Sequence, residues 1–247
     1  MYIVGLMSFT PSSGYLGGFS PFDGTVEFYG RIQSIIDSKD FVVADVGAGR
    51  GQWYFEDAVP YRRKLQFLRP LTSGFIGIDV DPVVLGNATT TENRLISGTH
   101  FPLEDKSVDA VIADWVFEHI ENPSDFVNEV NRILKPGGYL FARTPHKNSY
   151  VSLFARVLSN KFHIRILKFV QPSRVNIDVF PTKFKMNTLK GIRLLFPSYR
   201  NHSYIFTPEP AYYFGNREIY KILSKLHKHA PSFFCGCIYV FLQKDIN

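Results

Sequence analysis

The sequence predicts an α/β domain with a mostly parallel sheet and helices on both faces, and two stretches carry this prediction. The first, at 41–51, reads FVVADVGAGRG and leads from an apolar run through an acid into three glycines. The second, at 75–82, reads FIGIDVDP and is a short apolar run that ends in an acid. Short apolar runs bounded by turn residues are typical of buried strands. A strand, a glycine loop, a helix and a second strand ending in an acid form a nucleotide-binding unit, in which the acid binds a ribose diol.

The spacing of the glycines argues against a nicotinamide dinucleotide. Gly47, Gly49 and Gly51 alternate, whereas the fingerprint G-x-G-x-x-G would require a glycine at the position of Gln52. Glycine lets the backbone turn tightly and lets a ligand approach bare N–H groups. Asp79 follows Gly47 by 32 residues, which is longer than the roughly 20 residues of the dinucleotide case and indicates an inserted segment.

Five motifs together resemble the class I S-adenosylmethionine (SAM)-dependent methyltransferases. DVGAGRG at 45–51 and GIDVDP at 77–82 resemble motifs one and two of that family. A signature of the subgroup related to quinone-biosynthesis methyltransferases is similar to FPLEDKSVDAVIAD at 101–114, EHI at 118–120 and LKPGGYL at 134–140. The resemblance implies a Rossmann-like, seven-stranded sheet that is mostly parallel with an antiparallel edge strand, and SAM as the cofactor.

The resemblance, which spans residues 23 to about 145, places the cofactor at the ends of the first four strands. It implies that Asp79 binds the ribose and that Asp45 orders the glycine loop or reaches the methionine amino group. Many relatives bind the adenine amino group with an acid shortly after the third strand. This chain has ISGTH at 96–100, so Ser97 or a backbone group is expected to substitute. The expected cofactor-binding residues are Asp45, Gly47, Ala48, Gly49, Gly51, Asp79, Val80, Ser97, Asp114 and Trp115.

The sequence predicts one domain at 25–247, preceded by an irregular arm at 1–24. The arm is rich in Gly, Ser, Pro and aromatic residues, and it either closes over a ligand or forms a disordered tail. The spacing of apolar residues predicts an amphipathic helix over 25–38. The inserted segment at 52–71 contains aromatic residues and then YRRK at 61–64. This run either contacts an acidic substrate or belongs to a solvent-facing helix.

Beyond the fifth strand the sequence predicts a cap on the substrate side at 146–190, beginning with a short helix at 150–158. Within it, 161–170 mixes cations with bulky apolar residues, which suits either a cap helix or an interfacial helix on a membrane. Two final strands, at 199–206 and 235–242, are expected as an antiparallel pair flanking a helix capped by Asn216. The expected substrate-binding residues are Tyr61, Arg62, Arg63, Arg143 and Tyr150.

The chemistry implied by the resemblance needs few catalytic groups. SAM already carries an excellent leaving group, so the protein mainly aligns donor and acceptor and excludes water. A base is needed only where the acceptor is a hydroxyl. His146 and His119 are the candidates because both follow strand tips, and His146 is favoured; a structural role is the alternative for each. No histidines are spaced as a metal site, so no metal is expected. Cys235 and Cys237 are predicted to pack on one face of a strand.

Charge is distributed unevenly along the chain. Residues 1–142 carry 11 Lys and Arg against 18 Asp and Glu, whereas residues 143–247 carry 17 against 4. A basic half either faces an anionic partner, such as a phosphate, an acidic glycan or a lipid, or is a solvated surface. No apolar run reaches the roughly 18 residues of a membrane span, and the start lacks the basic region of a signal peptide. The expected location is cytoplasmic, with peripheral contact at the inner membrane face as the alternative.

Three classes of function follow. The leading one is a SAM-dependent methyltransferase that acts on a small or glycan-like acceptor at oxygen. The second is a membrane-associated enzyme that methylates a lipid or quinone, and the third is a non-catalytic SAM-binding protein, which the missing adenine acid suggests. Nucleic-acid methylation is disfavoured, because the chain has ADWV at 113–116 where an N-P-P-Y-like tetrapeptide would follow strand four.

Overall fold

The computed structural model describes residues 9–36, 40–157 and 180–246. Within them one sheet contains the strands β1 (Val42–Val46), β2 (Gly74–Asp79), β3 (Glu92–Leu95), β4 (Val108–Asp114), β5 (Leu134–Pro145), β6 (Tyr199–Asn201), β7 (Tyr204–Phe206) and β8 (Cys237–Lys244). Their order is β3-β2-β1-β4-β5-β8-β6, and β7 also pairs with β8. Strands β1 to β5 are parallel and β8 is antiparallel to β5. The predicted Rossmann-like sheet is confirmed.

Two details near the end of the chain differ from the prediction. The strand expected at 199–206 is divided into β6 and β7, because the Asn201 side chain accepts a hydrogen bond from the Ser203 N–H at 2.9 Å and turns the chain. The run containing the cysteines is a short helix up to Cys235 and a strand only from Cys237. Gly236 separates the two where β7 approaches so closely that a Cβ would collide with Ile205. The cysteines therefore do not share one strand face.

Helices cover the sheet, and several begin at capping side chains. They are α1 (Gly24–Ile35), α2 (Trp53–Glu56), α3 (Pro60–Gln66), α4 (Pro123–Ile133), α5 (Tyr150–Val157), α6 (Leu189–Leu195), α7 (Arg217–His229) and α8 (Ser232–Cys235). Asp23, Thr188 and Asn216 cap α1, α6 and α7 by accepting backbone hydrogen bonds. No helix in the described ranges is long and apolar enough to cross a membrane.

The hydrophobic core lies on both faces of the sheet. One cluster packs α4 and α6 against it and buries residues such as Ile133 and Phe196. The other packs α1 and α3 against the opposite face and buries Phe28 and Leu65. Burial of such side chains contributes about 1.5–3 kcal/mol each. Because both faces are covered, the edge formed by the carboxyl ends of the parallel strands is the place left for a ligand.

The predicted arm and cap are described in part. From residue 9 onward the arm packs against the inserted segment, where Phe19 stacks on Tyr61 with ring centroids 5.0 Å apart. Helix α5 lies where the short helix at the start of the cap is predicted. The apolar and basic run at 161–170 lies outside the described residues.

Candidate active site

The loop after β1 holds three glycines in the left-handed region that other residues rarely adopt. The angle φ is +76° at Gly47, +51° at Gly49 and +66° at Gly51. A Cβ at Gly47 would lie 2.5 Å from a methyl group of Val116, and one at Gly51 would collide with Asn87. At Gly49 no atom lies within 4 Å of the Cβ position. The loop is therefore packed tightly at its ends and open at Gly49, where a ligand can approach the backbone.

A buried amide that the sequence motifs did not indicate holds this loop. Asn87 Nδ2 donates hydrogen bonds to the carbonyl oxygens of Ala48 at 3.0 Å and Gly49 at 3.1 Å. Its Oδ1 accepts hydrogen bonds from the backbone N–H and the hydroxyl of Thr89. Because all polar atoms of the amide are used, the Asn87 side chain has one orientation and fixes the loop.

Asp79, at the end of β2, is oriented by two backbone groups. Its Oδ2 accepts a hydrogen bond from the Gly49 N–H and its Oδ1 accepts one from the Asp81 N–H, both at 2.9 Å. The side chain is buried, yet each carboxylate oxygen can accept a further bond from a ligand hydroxyl. Val80 is exposed just beyond it. Ser97 is exposed two residues past β3 and forms an isolated backbone bridge with His100.

Three carboxylates, Asp45, Asp79 and Asp114, end neighbouring strands at this edge. Burial, together with the Asp114 and Asp79 carboxylates, raises the pKa of Asp45 to about 8. Arg143 pairs with Asp114 alone, through Nε–Oδ1 at 2.9 Å and Nη2–Oδ2 at 2.8 Å. The edge therefore carries more negative than positive charge, which favours a cationic ligand.

Beside the carboxylates, over the ends of β4 and β5, lies a cavity of about 830 Å³, here called the chamber. Its walls come from the start of α1, from residues between 115 and 119, from α5, from residues between 208 and 215, and from α7. This volume is within the usual range for small-molecule sites, roughly 300–1,000 Å³. Trp115 lines the chamber directly after Asp114 and thus links it to the carboxylates.

Four aromatic residues in the chamber wall have strained backbones. Trp115, Phe184, Tyr212 and Phe214 have φ between +52° and +60°, and all four line the chamber. Lys106 is the fifth such non-glycine residue in the described ranges. A left-handed backbone costs a non-glycine residue about 1–2 kcal/mol, and such strain concentrates at functional sites. Four of the five non-glycine residues with positive φ in the described ranges thus line this one cavity.

Comparison with known proteins gives the chemistry of this edge. Residues 44–142 match a family model described as a methyltransferase domain. The matched segment runs from β1 into β5 and contains the glycine loop and the three carboxylates. Residues 44–142 are therefore similar to methyltransferase domains. The predicted resemblance to SAM-dependent methyltransferases is confirmed, and SAM is the cofactor of this family.

Curated relatives of the methyltransferase domain match over part of their length. A protein of Mycolicibacterium smegmatis named probable S-adenosylmethionine-dependent methyltransferase is 32% identical over 143 residues, which are 56% of this chain and 50% of that protein. The mitochondrial ubiquinone biosynthesis O-methyltransferase of Dictyostelium discoideum is 27% identical over 96 residues, which are 36% and 30% of the two chains. The chain thus spans half or less of the length of these relatives.

Solved methyltransferase structures share the fold. Geranyl diphosphate C-methyltransferase from Streptomyces coelicolor, solved with Mg²⁺, geranyl diphosphate and S-adenosyl-L-homocysteine (SAH), superposes with a TM-score of 0.54. It is 13% identical in sequence, and the match covers 88% of this chain and 77% of that one. At this identity the comparison establishes the class I methyltransferase fold alone.

The residues of the methyltransferase domain fit SAM. The cofactor carries a sulfonium and an ammonium group, and the edge holds three carboxylates of which Arg143 neutralises only Asp114. The open position at Gly49 gives room beside the backbone, and Asp79 is already oriented next to it. Among the described residues no group of three or more His, Cys, Asp and Glu side chains could hold a metal ion.

Of the predicted substrate-binding residues, Arg62, Arg143 and Tyr150 line the chamber, and Tyr61 and Arg63 do not. Arg62 Nη1 lies 2.9 Å from a carboxylate oxygen of Asp23, and its Nη2 lies 2.7 Å from one of Asp57. Arg143 is equally occupied by Asp114. Both guanidinium groups therefore brace the walls through ion pairs instead of offering unpaired charge to a ligand.

The two predicted base candidates lie in different surroundings. His119 lines the chamber, and its Nδ1 is 3.1 Å from the carbonyl oxygen of Pro181. His146 is buried outside the chamber lining, its Nδ1 accepts a hydrogen bond from the Asn148 N–H, and its ring packs on Phe233. Burial, and then Lys147, lowers the pKa of His146.

Two further polar residues of the lining, Glu118 and His227, were not among the predicted site residues. His227, on α7, places Nδ1 3.1 Å from the carbonyl oxygen of Pro208 and Nε2 3.3 Å from the hydroxyl of Tyr150. Glu118 is buried and accepts a hydrogen bond from the Thr144 hydroxyl at 2.8 Å, and burial raises its pKa to about 7. Glu118 belongs to the EHI motif at 118–120, whereas only the folded chain brings His227 to the chamber, so no local motif could indicate His227.

Proposed function

We propose that this chain is a SAM-dependent methyltransferase that transfers a methyl group to a hydroxyl oxygen of a small acceptor held in the chamber. The observation that carries the proposal is the junction at Asp114 and Trp115, where the carboxylate edge meets a cavity of about 830 Å³. Transfer to oxygen is supported by the name of the Dictyostelium relative, an O-methyltransferase.

On this proposal the chain's own residues bind and align the reactants. Bound SAM supplies a methyl group on an excellent leaving group. Asp79 binds the ribose hydroxyls, Asp45 attracts the amino group, and Ser97 or a backbone group binds the adenine. Trp115 closes the cofactor side of the chamber, with the Arg143 guanidinium 5.0 Å from its ring centroid. Alignment and exclusion of water can lower a barrier by roughly 7–11 kcal/mol.

His119 is the base in this proposal. A carbonyl oxygen only accepts hydrogen bonds, so the Nδ1 that faces Pro181 carries the proton in the neutral ring. The basic lone pair is then on Nε2, and the Pro181 contact orients the ring. A hydroxyl acceptor in the chamber can transfer its proton to this nitrogen as the oxygen–methyl bond forms. Position along the chain favoured His146, but the chamber lining favours His119.

A second candidate function, methylation of a lipid or quinone at a membrane surface, is favoured by the outer face of α7. Ile219, Ile222 and Leu226 are exposed there on one stripe, and Lys221 and Lys225 are exposed beside it. An apolar stripe beside cations suits the interface of an anionic membrane. Flotation of the chain with anionic vesicles at low salt would favour this alternative, and absence of binding would favour an acceptor in solution.

The cofactor part of the proposal is tested by titrating SAH into the full chain and two glycine variants. Gly49→Val should abolish binding, because its side chain would enter the space beside the loop. Gly137→Val is the matched control: Gly137 also has a left-handed backbone, and its Cβ position meets only an ordinary contact at 3.7 Å. It lies at the other end of β5, and its variant should bind SAH normally.

Two outcomes would contradict the proposal. A folded Gly49→Val variant that binds SAH like the wild type would show that the loop is not the cofactor site. A wild type that binds SAM but transfers no labelled methyl group to any hydroxyl-bearing acceptor in a broad screen would leave the non-catalytic SAM-binding alternative.

A further inference from the structure

The charge inside the chamber is opposite to that of the chain half that builds most of it. The cations in its lining are Arg62 and Arg143, and each is paired with carboxylates. The carboxyl groups of Glu118 and Glu209 also line it, and no ion pair joins either to a cation in the described ranges. Other cations after residue 142 in the described ranges, for example Lys225 and Lys228, are exposed outside the chamber lining.

Glu209 has an unsatisfied oxygen. Its Oε1 is inaccessible to solvent and has no hydrogen-bond partner among the residues that the structure describes. The backbone N–H of Glu209 donates to the Phe22 carbonyl oxygen at 3.1 Å, which ties the residue to the end of the arm. A buried carboxylate oxygen without a donor is unfavourable, so a rotation of the Glu209 side chain that brings Oε1 to an N–H or O–H of a ligand in the chamber removes this penalty.

The aromatic wall gives a second reason to expect a cation. Tyr212 and Phe214 line the chamber, and the faces of aromatic rings carry negative charge density that attracts ammonium groups. Two other rings of the wall already attract cations of the chain, because the Arg143 guanidinium lies 5.0 Å from the Trp115 ring centroid and the Arg156 guanidinium lies 5.5 Å from that of Phe184. A carboxylate and aromatic faces together form the usual surroundings of a bound amine. An anionic acceptor would meet these same groups with repulsion and without an unpaired cation among the described lining residues.

We infer that the acceptor carries a protonated amino group, which binds in the chamber at Glu209, and a separate hydroxyl group that receives the methyl. This inference rests on the proposed function, because it specifies the substrate class of the same site. It also reverses the expectation, drawn from the basic half of the sequence, of an anionic acceptor.

The test is a charge series on one phenol scaffold, titrated into the full chain saturated with SAH. Tyramine carries an ammonium group, tyrosol a neutral hydroxyl and 4-hydroxyphenylacetate a carboxylate on otherwise similar molecules. Tyramine should bind about tenfold more tightly than tyrosol, a difference of about 1.4 kcal/mol. The carboxylate should bind most weakly. In Glu209→Gln the preference for tyramine over tyrosol should fall to about twofold or less, since the ionic hydrogen bond is removed.

Glu218→Gln is the matched control, because it removes the same charge from an exposed side chain on α7 that pairs only with Lys221. It should keep the full preference for tyramine. The inference is overturned if the carboxylate binds as tightly as the amine, if tyramine does not bind at millimolar concentration, or if Glu209→Gln retains the preference. The wild-type series decides the matter even where a variant fails to fold. Loss of SAH binding in the wild type would instead contradict the proposed function.

Discussion

The two halves of the active-site edge are built in opposite ways. On the cofactor half, the left-handed backbone positions of the loop fall on Gly47, Gly49 and Gly51, which adopt them without steric strain. On the acceptor half they fall on aromatic residues, and these come from three separate parts of the chain. A ligand bound mainly through backbone can be encoded in one short motif. A ligand bound by side chains from distant segments requires the whole fold to hold them.

The halves also differ in how their charges are compensated. Asp45 and Asp79 have no ion pair among the described residues, whereas Arg62 and Arg143 on the chamber side are each held by carboxylates. The cofactor half is thus ready for a charged ligand, and the chamber uses most of its charges to brace its own walls. The predictions below test this contrast, beginning with the largest expected effect.

Replacing each candidate base in turn distinguishes a catalytic histidine from a structural one. His119→Ala should lower the rate of methyl transfer by about 10²–10⁴, the usual effect of losing a general base, with SAM affinity unchanged. The defect should shrink at high pH, where the acceptor hydroxyl ionises without help. His146→Ala, the control, should lower thermal stability and keep the rate per folded molecule. Equal loss of rate in both variants would contradict the assignment of His119.

Variants at Trp115 and Phe117 distinguish a residue with a strained backbone from one that packs in the core. Phe117 is fully buried, so Phe117→Ala should lower the free energy of unfolding by about 3–5 kcal/mol. Trp115→Gly should change it by about 1 kcal/mol or less, because relief of the left-handed backbone offsets the lost contacts. The Trp115 variant should nevertheless lose acceptor binding. Denaturant unfolding measures both, and a strong destabilisation by Trp115→Gly would show that the position is structural.

Asp45 makes cofactor binding depend on pH. Its pKa near 8 means that the carboxyl is mostly neutral at pH 7, and a cationic ligand favours the charged form. SAM affinity should therefore rise as pH increases through about 8, by at most about tenfold per pH unit. The ligand's α-amino group titrates near 7.7–8.0 as well, so Asp45→Asn, which retains only that titration, is the reference. Equal slopes in the two proteins would contradict the role of Asp45.

The raised pKa of Asp45 also makes the stability of the fold depend on pH. A carboxyl whose pKa is raised by folding contributes stability below its unfolded pKa of about 3.9 and loses that contribution as pH rises through the folded value. The melting temperature of Asp45→Asn relative to the wild type should therefore be higher at about pH 9 than at about pH 5. A constant difference between these pH values would contradict the raised pKa.

The sheet and the cofactor half could be predicted because their signals are local. Apolar runs, glycines and terminal acids lie next to one another in the chain, and Asp45, Asp79 and Asp114 do meet at one edge as the strand order requires. Strand β5 begins already at Leu134, within the LKPGGYL motif, although Pro136 and the two glycines after it are residues that usually interrupt a strand. In the fold Lys135 is held at 2.8 Å by both carboxylate oxygens of Asp109 on β4, which keeps this stretch in the sheet.

The chamber could be predicted only in part, because its contacts join residues far apart in the chain. Arg62 was predicted to bind substrate. In the fold it forms an ion pair with Asp23, which lies 39 residues earlier in the chain, and this pair stabilises the chamber wall. The His227 side chain contacts the hydroxyl of Tyr150, which lies 77 residues earlier in the chain, and no sequence pattern relates two positions so far apart. The net charge of the basic half does not predict the charge of the cavity, since a sum over residues does not say which of them face it.

The hydrogen bonds between Asn87 and the glycine loop affect the rate at which the cofactor can associate. Asn87 Nδ2 lies 3.0 Å from the carbonyl oxygen of Ala48 and 3.1 Å from that of Gly49, so the chain's own hydrogen bonds hold the loop. A mobile loop would lose about 1–2 kcal/mol of conformational entropy for each residue that becomes ordered on binding. This loop has little such freedom to lose, so binding should follow a single bimolecular step without a slow isomerisation. The rate of SAM association should then be set by diffusion and not by a rearrangement of the glycine loop.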